Sequence, residues 1–146
     1  SAGNASHMVN DLRKLCGIEA YAPTDNISEY SARVNDDGAN TVFVEYLKTS
    51  RLTSNDCVFV LSVGGGSIER NISVCLIEAI KYARSVDATC LSIVGKANGY
   101  AAENTTAIVI PEIDSNLVTP VSEAFQAIVW HCIVSDPALQ VRKTTW

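Results

Sequence analysis

The chain has 146 residues, 47% of them apolar, and a formal net charge of −5. That length suits one domain with its own core, and the acidic balance argues against a nucleic-acid partner, which selects a basic face. No run is apolar and long enough to span a membrane and no signal peptide is present, so a cytoplasmic protein is expected.

In chain order, Val9 to Leu15 reads as a helix with Val9, Leu12 and Leu15 on one face, stopped at Gly17. Ile18 to Ala22 reads as a short strand ended by Pro23. Asp25 or Asn26 caps a helix running to about Val34, and residues 35–38 break it. Thr41 to Leu52 is amphipathic. Cys57 to Leu61 is a continuous apolar run, as expected of a strand covered on both faces. The segment Ser62-Val63-Gly64-Gly65-Gly66-Ser67 follows, then a predicted helix from about Ser67 to Ser85. Thr89 to Val94 is a second buried strand, Asn98 to Glu103 a helical turn, Ala107 to Ile110 a third strand, and Val118 to Val134 the last helix. This alternation predicts one α/β domain over residues 1–146, an open, doubly wound parallel sheet in three α/β/α layers.

Cys16, Cys57, Cys75, Cys90 and Cys132 contain no CxxC pair, and four lie in apolar segments. They are expected to be reduced and buried.

Ligands of an open α/β sheet bind at the carboxyl ends of the strands, where residues 62–67 stand. Three glycines let the backbone approach a ligand, the following helix would add its dipole, and Ser62 and Ser67 offer hydroxyls. The pattern suits a phosphate; the alternative is a tight turn with no ligand. Glu69 stands where a GxGxxG fingerprint needs glycine, and GK[ST] is absent. Dinucleotides and nucleoside triphosphates are thereby disfavoured, and no nucleotide cofactor is expected.

With these residues the chain resembles the sugar isomerase (SIS) family, and within it the phosphoheptose isomerases. Residues 62–67 resemble the family's STSGNS loop. Val94-Gly95-Lys96-Ala97-Asn98-Gly99 resembles its TGKDGG turn, and Asn35-Asp36 with Gly38 its NDxG segment. Ser1 through His7 and Asp11 resembles the helix after its GNGGS loop, and Thr119-Pro120 with Glu123-Ala124 and His131 its C-terminal helix. The resemblance implies a flavodoxin-like fold, truncated at the N-terminus. It also weakens a second explanation of Ser6-His7-Met8, that they are a cloning scar, because Asp11 stands where the family expects an acid.

What the resemblance implies for function is an aldose–ketose isomerase converting sedoheptulose 7-phosphate through an enediol. Asp11 would be the base and His131 the acid–base partner. Ser1, Asn35, Asp36, Ser62, Val63, Gly64, Ser67 and Glu123 would meet substrate. His7, Asp11, Glu123 and His131 would hold zinc or another divalent ion, in a homotetramer with sites at its interfaces. The chain departs from the family where Asp11 replaces Glu, Glu123 replaces Gln, Val63 and Gly64 replace hydroxyl residues, and Val121-Ser122 replaces Arg-Ile. A non-catalytic sugar-phosphate-binding module, or an isomerase of another sugar phosphate, are the alternatives.

Overall fold

The computed structural model describes residues 1–145. Nine elements follow in chain order: α1 (Ala2–Leu15), α2 (Ile27–Asp36), α3 (Val42–Thr49), β1 (Cys57–Ser62), α4 (Val74–Ser85), β2 (Thr89–Val94), α5 (Tyr100–Asn104), β3 (Thr106–Val109) and α6 (Val118–Val134). The three strands are parallel and in sequence order, with Val58 opposite Cys90 and Leu91 opposite Thr106.

Successive side chains of a strand face opposite sides of the sheet, and this chain fills both. On one side Val60 and Val94 pack with Ile80 of α4 and Ala101 of α5. On the other, Leu61 and Ile93 pack with Met8 and Leu15 of α1 and with Trp130 and Val134 of α6. Helices on both faces of an open parallel sheet make the three-layer α/β/α arrangement, and they explain why β1 and β2 read as unbroken apolar runs. Burying these side chains is the main drive for the fold, at about 1.5–3 kcal/mol for each large aliphatic one.

Several elements differ from the sequence expectation. α1 starts earlier, at Ala2, and ends where Gly17 takes φ +65° and the Ile18 amide binds the Leu12 carbonyl at 3.0 Å. Residues 18–22 form no strand. Their contacts are with α1 instead: the Arg13 guanidinium donates to the Ala20 carbonyl at 3.2 Å and lies over the Tyr21 ring. The helix expected from Ser67 begins only at Val74. Asn71 and Ser73 sit in the left-handed region, at φ +53° and +51°, which a continuing helix forbids. Ser67 and Ile72 instead exchange both backbone hydrogen bonds at 3.0 Å, closing a small hairpin.

The cysteines are all free, but only Cys16 is buried. Burial, and after it the charge of Asp11, push its thiol above the ordinary value. Cys57 opens β1 at the rim of the sheet and Cys132 lies on the outer side of α6, so both are exposed.

The turns at the carboxyl ends of β1 and β2 are packed backbone to backbone. The amides of Tyr100 and Ala101 donate to the carbonyls of Gly66 and Gly65, both at 2.9 Å, and Gly95 donates to Val63 at 2.9 Å. A Cβ on Gly99 would lie 2.1 Å from the Gly64 oxygen and 3.1 Å from its carbonyl carbon. Gly99→Ala must therefore part the two turns, an overpacking cost of about 1–3 kcal/mol. We expect a melting temperature lower by roughly 3–10 °C in a thermal unfolding scan.

Candidate functional site

Two features emerge at the residues singled out by sequence, and they lie apart within one chain. The first is the glycine-rich loop. Gly65 and Gly66 take φ +72° and +88°, and Gly66 is wedged so closely against Ile77 that a side chain would clash. Ser62 is buried, and its Oγ accepts from the Gly65 amide at 3.0 Å. Ser67 Oγ accepts from the Arg70 amide at 3.3 Å. Beside the loop opens a cleft of about 670 Å³ lined by Gly64, Gly66, Ser67, Arg70, Lys96 and Asn98, among others. Glu69 and Glu103 also line it, and Lys96 is ion-paired to Glu112. Neither Ser62 nor Val63 lines this cleft.

The second feature is a cluster at the seam of α1 and α6. His7 and Asp11, one helical turn apart, face His131, and ligand atoms of all three lie within 4.8 Å of one another. Asp11 Oδ2 is 3.9 Å from His7 Nε2 and 3.8 Å from His131 Nε2. Asp11 is buried, whereas both imidazoles are partly open to solvent. Its second oxygen accepts from the Asn10 side-chain amide at 2.9 Å.

The His131 Nδ1 lies 2.7 Å from the Ala127 carbonyl. A carbonyl only accepts, so Nδ1 carries the proton and Nε2 of the neutral ring keeps its lone pair toward Asp11. Trp130 forms the wall of the cluster. Its ring stacks on His131 at 3.6 Å between centroids and meets His7 edge-on at 4.7 Å.

The donor set fits a divalent ion. Two imidazole nitrogens and one carboxylate oxygen are the complement of a catalytic zinc site, which keeps its fourth position open. Tetrahedral ligands at about 2.0–2.2 Å from zinc stand about 3.4 Å apart. The two Asp11–imidazole separations of 3.8–3.9 Å are close to that, and all three ligand atoms lie within 4.8 Å of one another.

Glu123 does not join this group. It is eight residues before His131, about 12 Å along α6. Its carboxylate accepts from the Ser1 hydroxyl at 2.9 Å. Asn35 and Asp36, at the exposed end of α2, are hydrogen-bonded to each other and do not line the cleft. The loop and the cluster are also separated along α6. Ser122 packs on Gly95 beside the loop, and His131 lies nine residues further, about 13 Å at 1.5 Å per residue.

Arg70 and Trp130 were not anticipated as site residues. Arg70 reads as a helix position until the left-handed Asn71 turns the chain. Trp130 reads as core, and it is fully buried; only its adjacency to His131 hinted at more.

No family model and no curated protein matches the sequence. Solved structures do match. A phosphoheptose isomerase from Francisella tularensis superposes with a TM-score of 0.74 at 16% identity, covering 92% of this chain and 68% of that one. A phosphoheptose isomerase from Neisseria gonorrhoeae gives 0.69 at 22% identity, covering 91% and 68%. The α/β/α fold built here from apolar runs and glycine turns is the fold of those two isomerases.

Proposed function

We propose that the chain is a sugar-phosphate isomerase of the SIS family, interconverting sedoheptulose 7-phosphate and an aldoheptose 7-phosphate. The observation that supports this best is the convergence of His7, Asp11 and His131 in a fold shared with phosphoheptose isomerases.

In this reading Asp11 removes a proton from C1 of the ketose and returns it to C2. His131 Nε2, with its lone pair free, takes the proton of the C1 hydroxyl and delivers it to the C2 oxygen. One carbon-bound and one oxygen-bound proton each move by one atom, and both side chains end as they began. Stacking on Trp130 and the bond to Ala127 hold His131 in the tautomer this relay needs. A zinc ion held by His7, Asp11 and His131 would take that same Nε2 lone pair, so metal and relay are alternatives at His131: bound, the ion would polarise the carbonyl and stabilise negative charge on its oxygen in place of the imidazole.

The phosphate end belongs to the glycine loop, with Gly64 and Ser67 as its uncharged donors and the buried Ser62 bracing the turn from behind through the Gly65 amide. Because loop and cluster lie apart within one chain, we assign each complete site to two subunits of a homotetramer. The outward stripe of α6 supports such an assembly: Phe125, Ile128 and Cys132 are exposed on a helix that is apolar nearly all round.

The test is incubation of full-length protein with sedoheptulose 7-phosphate and zinc. The proposal expects an aldoheptose phosphate to form. Binding without turnover would instead make this a non-catalytic sugar-phosphate module. Zinc titration gives a separate check: we expect one site per chain, weakened at least about tenfold in His7→Ala, since even second-sphere losses cost that much.

A further inference from the structure

The glycine loop offers no charge of its own to a phosphate monoester, which carries about −1.5 to −2 at pH 7. Val63 and Gly64 have no hydroxyl. Ser62 is buried and does not line the cleft, and Ser67, which accepts the Arg70 amide, keeps one O–H to donate. The Ser67 amide is spent on Ile72, and the first amides of α5 are spent on Gly65 and Gly66. The positive end of α4 is displaced as well, because that helix starts at Val74 and not at Ser67. The counter-charge must come from side chains.

Two cations line the same cleft, Lys96 and Arg70. Lys96 is neutralised by Glu112. Arg70 stands near the tip of the Ser67–Ile72 hairpin, next to the left-handed Asn71. Among the described residues its guanidinium makes neither an ion pair nor a hydrogen bond, although Glu69 and Glu103 line the cleft too. An unpaired guanidinium beside a glycine loop is suited to grip two oxygens of one phosphate.

We propose that Arg70, with Lys96 as the lesser partner, clamps the substrate's phosphate against the glycine loop and so imposes the requirement for a phosphorylated sugar. The hairpin that replaces the first turns of the expected helix is then the device that carries the clamp. This inference rests on the sugar-phosphate reading of the loop and concerns which residues hold the anion.

The experiment is titration of full-length protein with inorganic phosphate, followed by calorimetry or phosphorus NMR, for wild type, Arg70→Met, Arg70→Lys and Lys96→Met. Arg70→Met is expected to bind phosphate about 10- to 100-fold more weakly, the range for losing hydrogen bonds to a charged group. Arg70→Lys should fall between, Lys96→Met should lose only a few-fold, and all should melt like wild type. With sugar phosphate as substrate, Arg70→Met should raise KM and leave kcat nearly unchanged. Phosphate binding by Arg70→Met within twofold of wild type overturns the clamp, as does a wild type that binds no phosphate. Weakened phosphate binding by Arg70→Met in a protein that turns over no sugar leaves the clamp standing and removes the isomerase reading instead.

Discussion

Asp11→Asn is expected to lower kcat by about 10²- to 10⁴-fold, the range contributed by a positioned general base, with little change in KM. The substitution keeps the size of the side chain and removes its charge, and with it the capacity to accept a proton from carbon. Asp11 is 7% exposed, between His7 and His131, and its second oxygen is held by Asn10. Because Asp11 is also a proposed zinc ligand, activity has to be compared at saturating zinc with the bound metal quantified in the same samples. Asp11→Glu retains the carboxylate and is expected to keep far more activity than the asparagine variant. Phosphate binding at the glycine loop should be unaffected in both, because Asp11 lies on α1 and does not line the cleft beside the loop.

Trp130→Ala is expected to be the most destabilising single change, costing about 3–5 kcal/mol and lowering the melting temperature by roughly 10 °C or more. The ring is fully buried among Met8, Leu61, Ile93, Ile110 and Val134, so it joins α1, α6 and the sheet. It is also the wall against which His7 and His131 rest. Zinc affinity should therefore fall with stability, because two ligands lose the surface that orients them. Trp130→Phe separates the two roles. The indole N–H is buried without a hydrogen-bond partner among the described residues, a situation that costs about 1–3 kcal/mol. Phenylalanine removes that unpaired donor and keeps an aromatic wall, so its stability is expected within about 1.5 kcal/mol of wild type. Thermal unfolding and zinc titration of the two variants check both statements.

The parts of the fold legible in the sequence were those set by burial on two sides. β1 and β2 are continuous apolar runs because helices cover both faces, and α6 declares itself through seventeen residues without a break. The start of α4 was not legible. Ile68, Ile72, Cys75 and Leu76 fall at helical spacing, yet Asn71 and Ser73 adopt left-handed backbone that periodicity cannot register. Residues 18–22 have a strand's composition but pair with no strand among the described residues.

At the site, His7 and Asp11 were legible as an i, i+4 pair, and the resemblance supplied His131 as their partner. Glu123 failed to join them because a rigid helix holds it about 12 Å from His131. The placement of Arg70 depends on the hairpin and so stayed hidden with it.

The most direct test is the reaction run in D₂O by full-length protein and Asp11→Asn, followed by proton and carbon NMR of the sugar. The account predicts conversion of sedoheptulose 7-phosphate to an aldose phosphate with solvent deuterium at C2, because a proton held by Asp11 exchanges before it returns to carbon. It predicts that the asparagine variant loses both conversion and labelling. A full-length protein that forms no aldose phosphate, or an asparagine variant as fast as wild type, would contradict it.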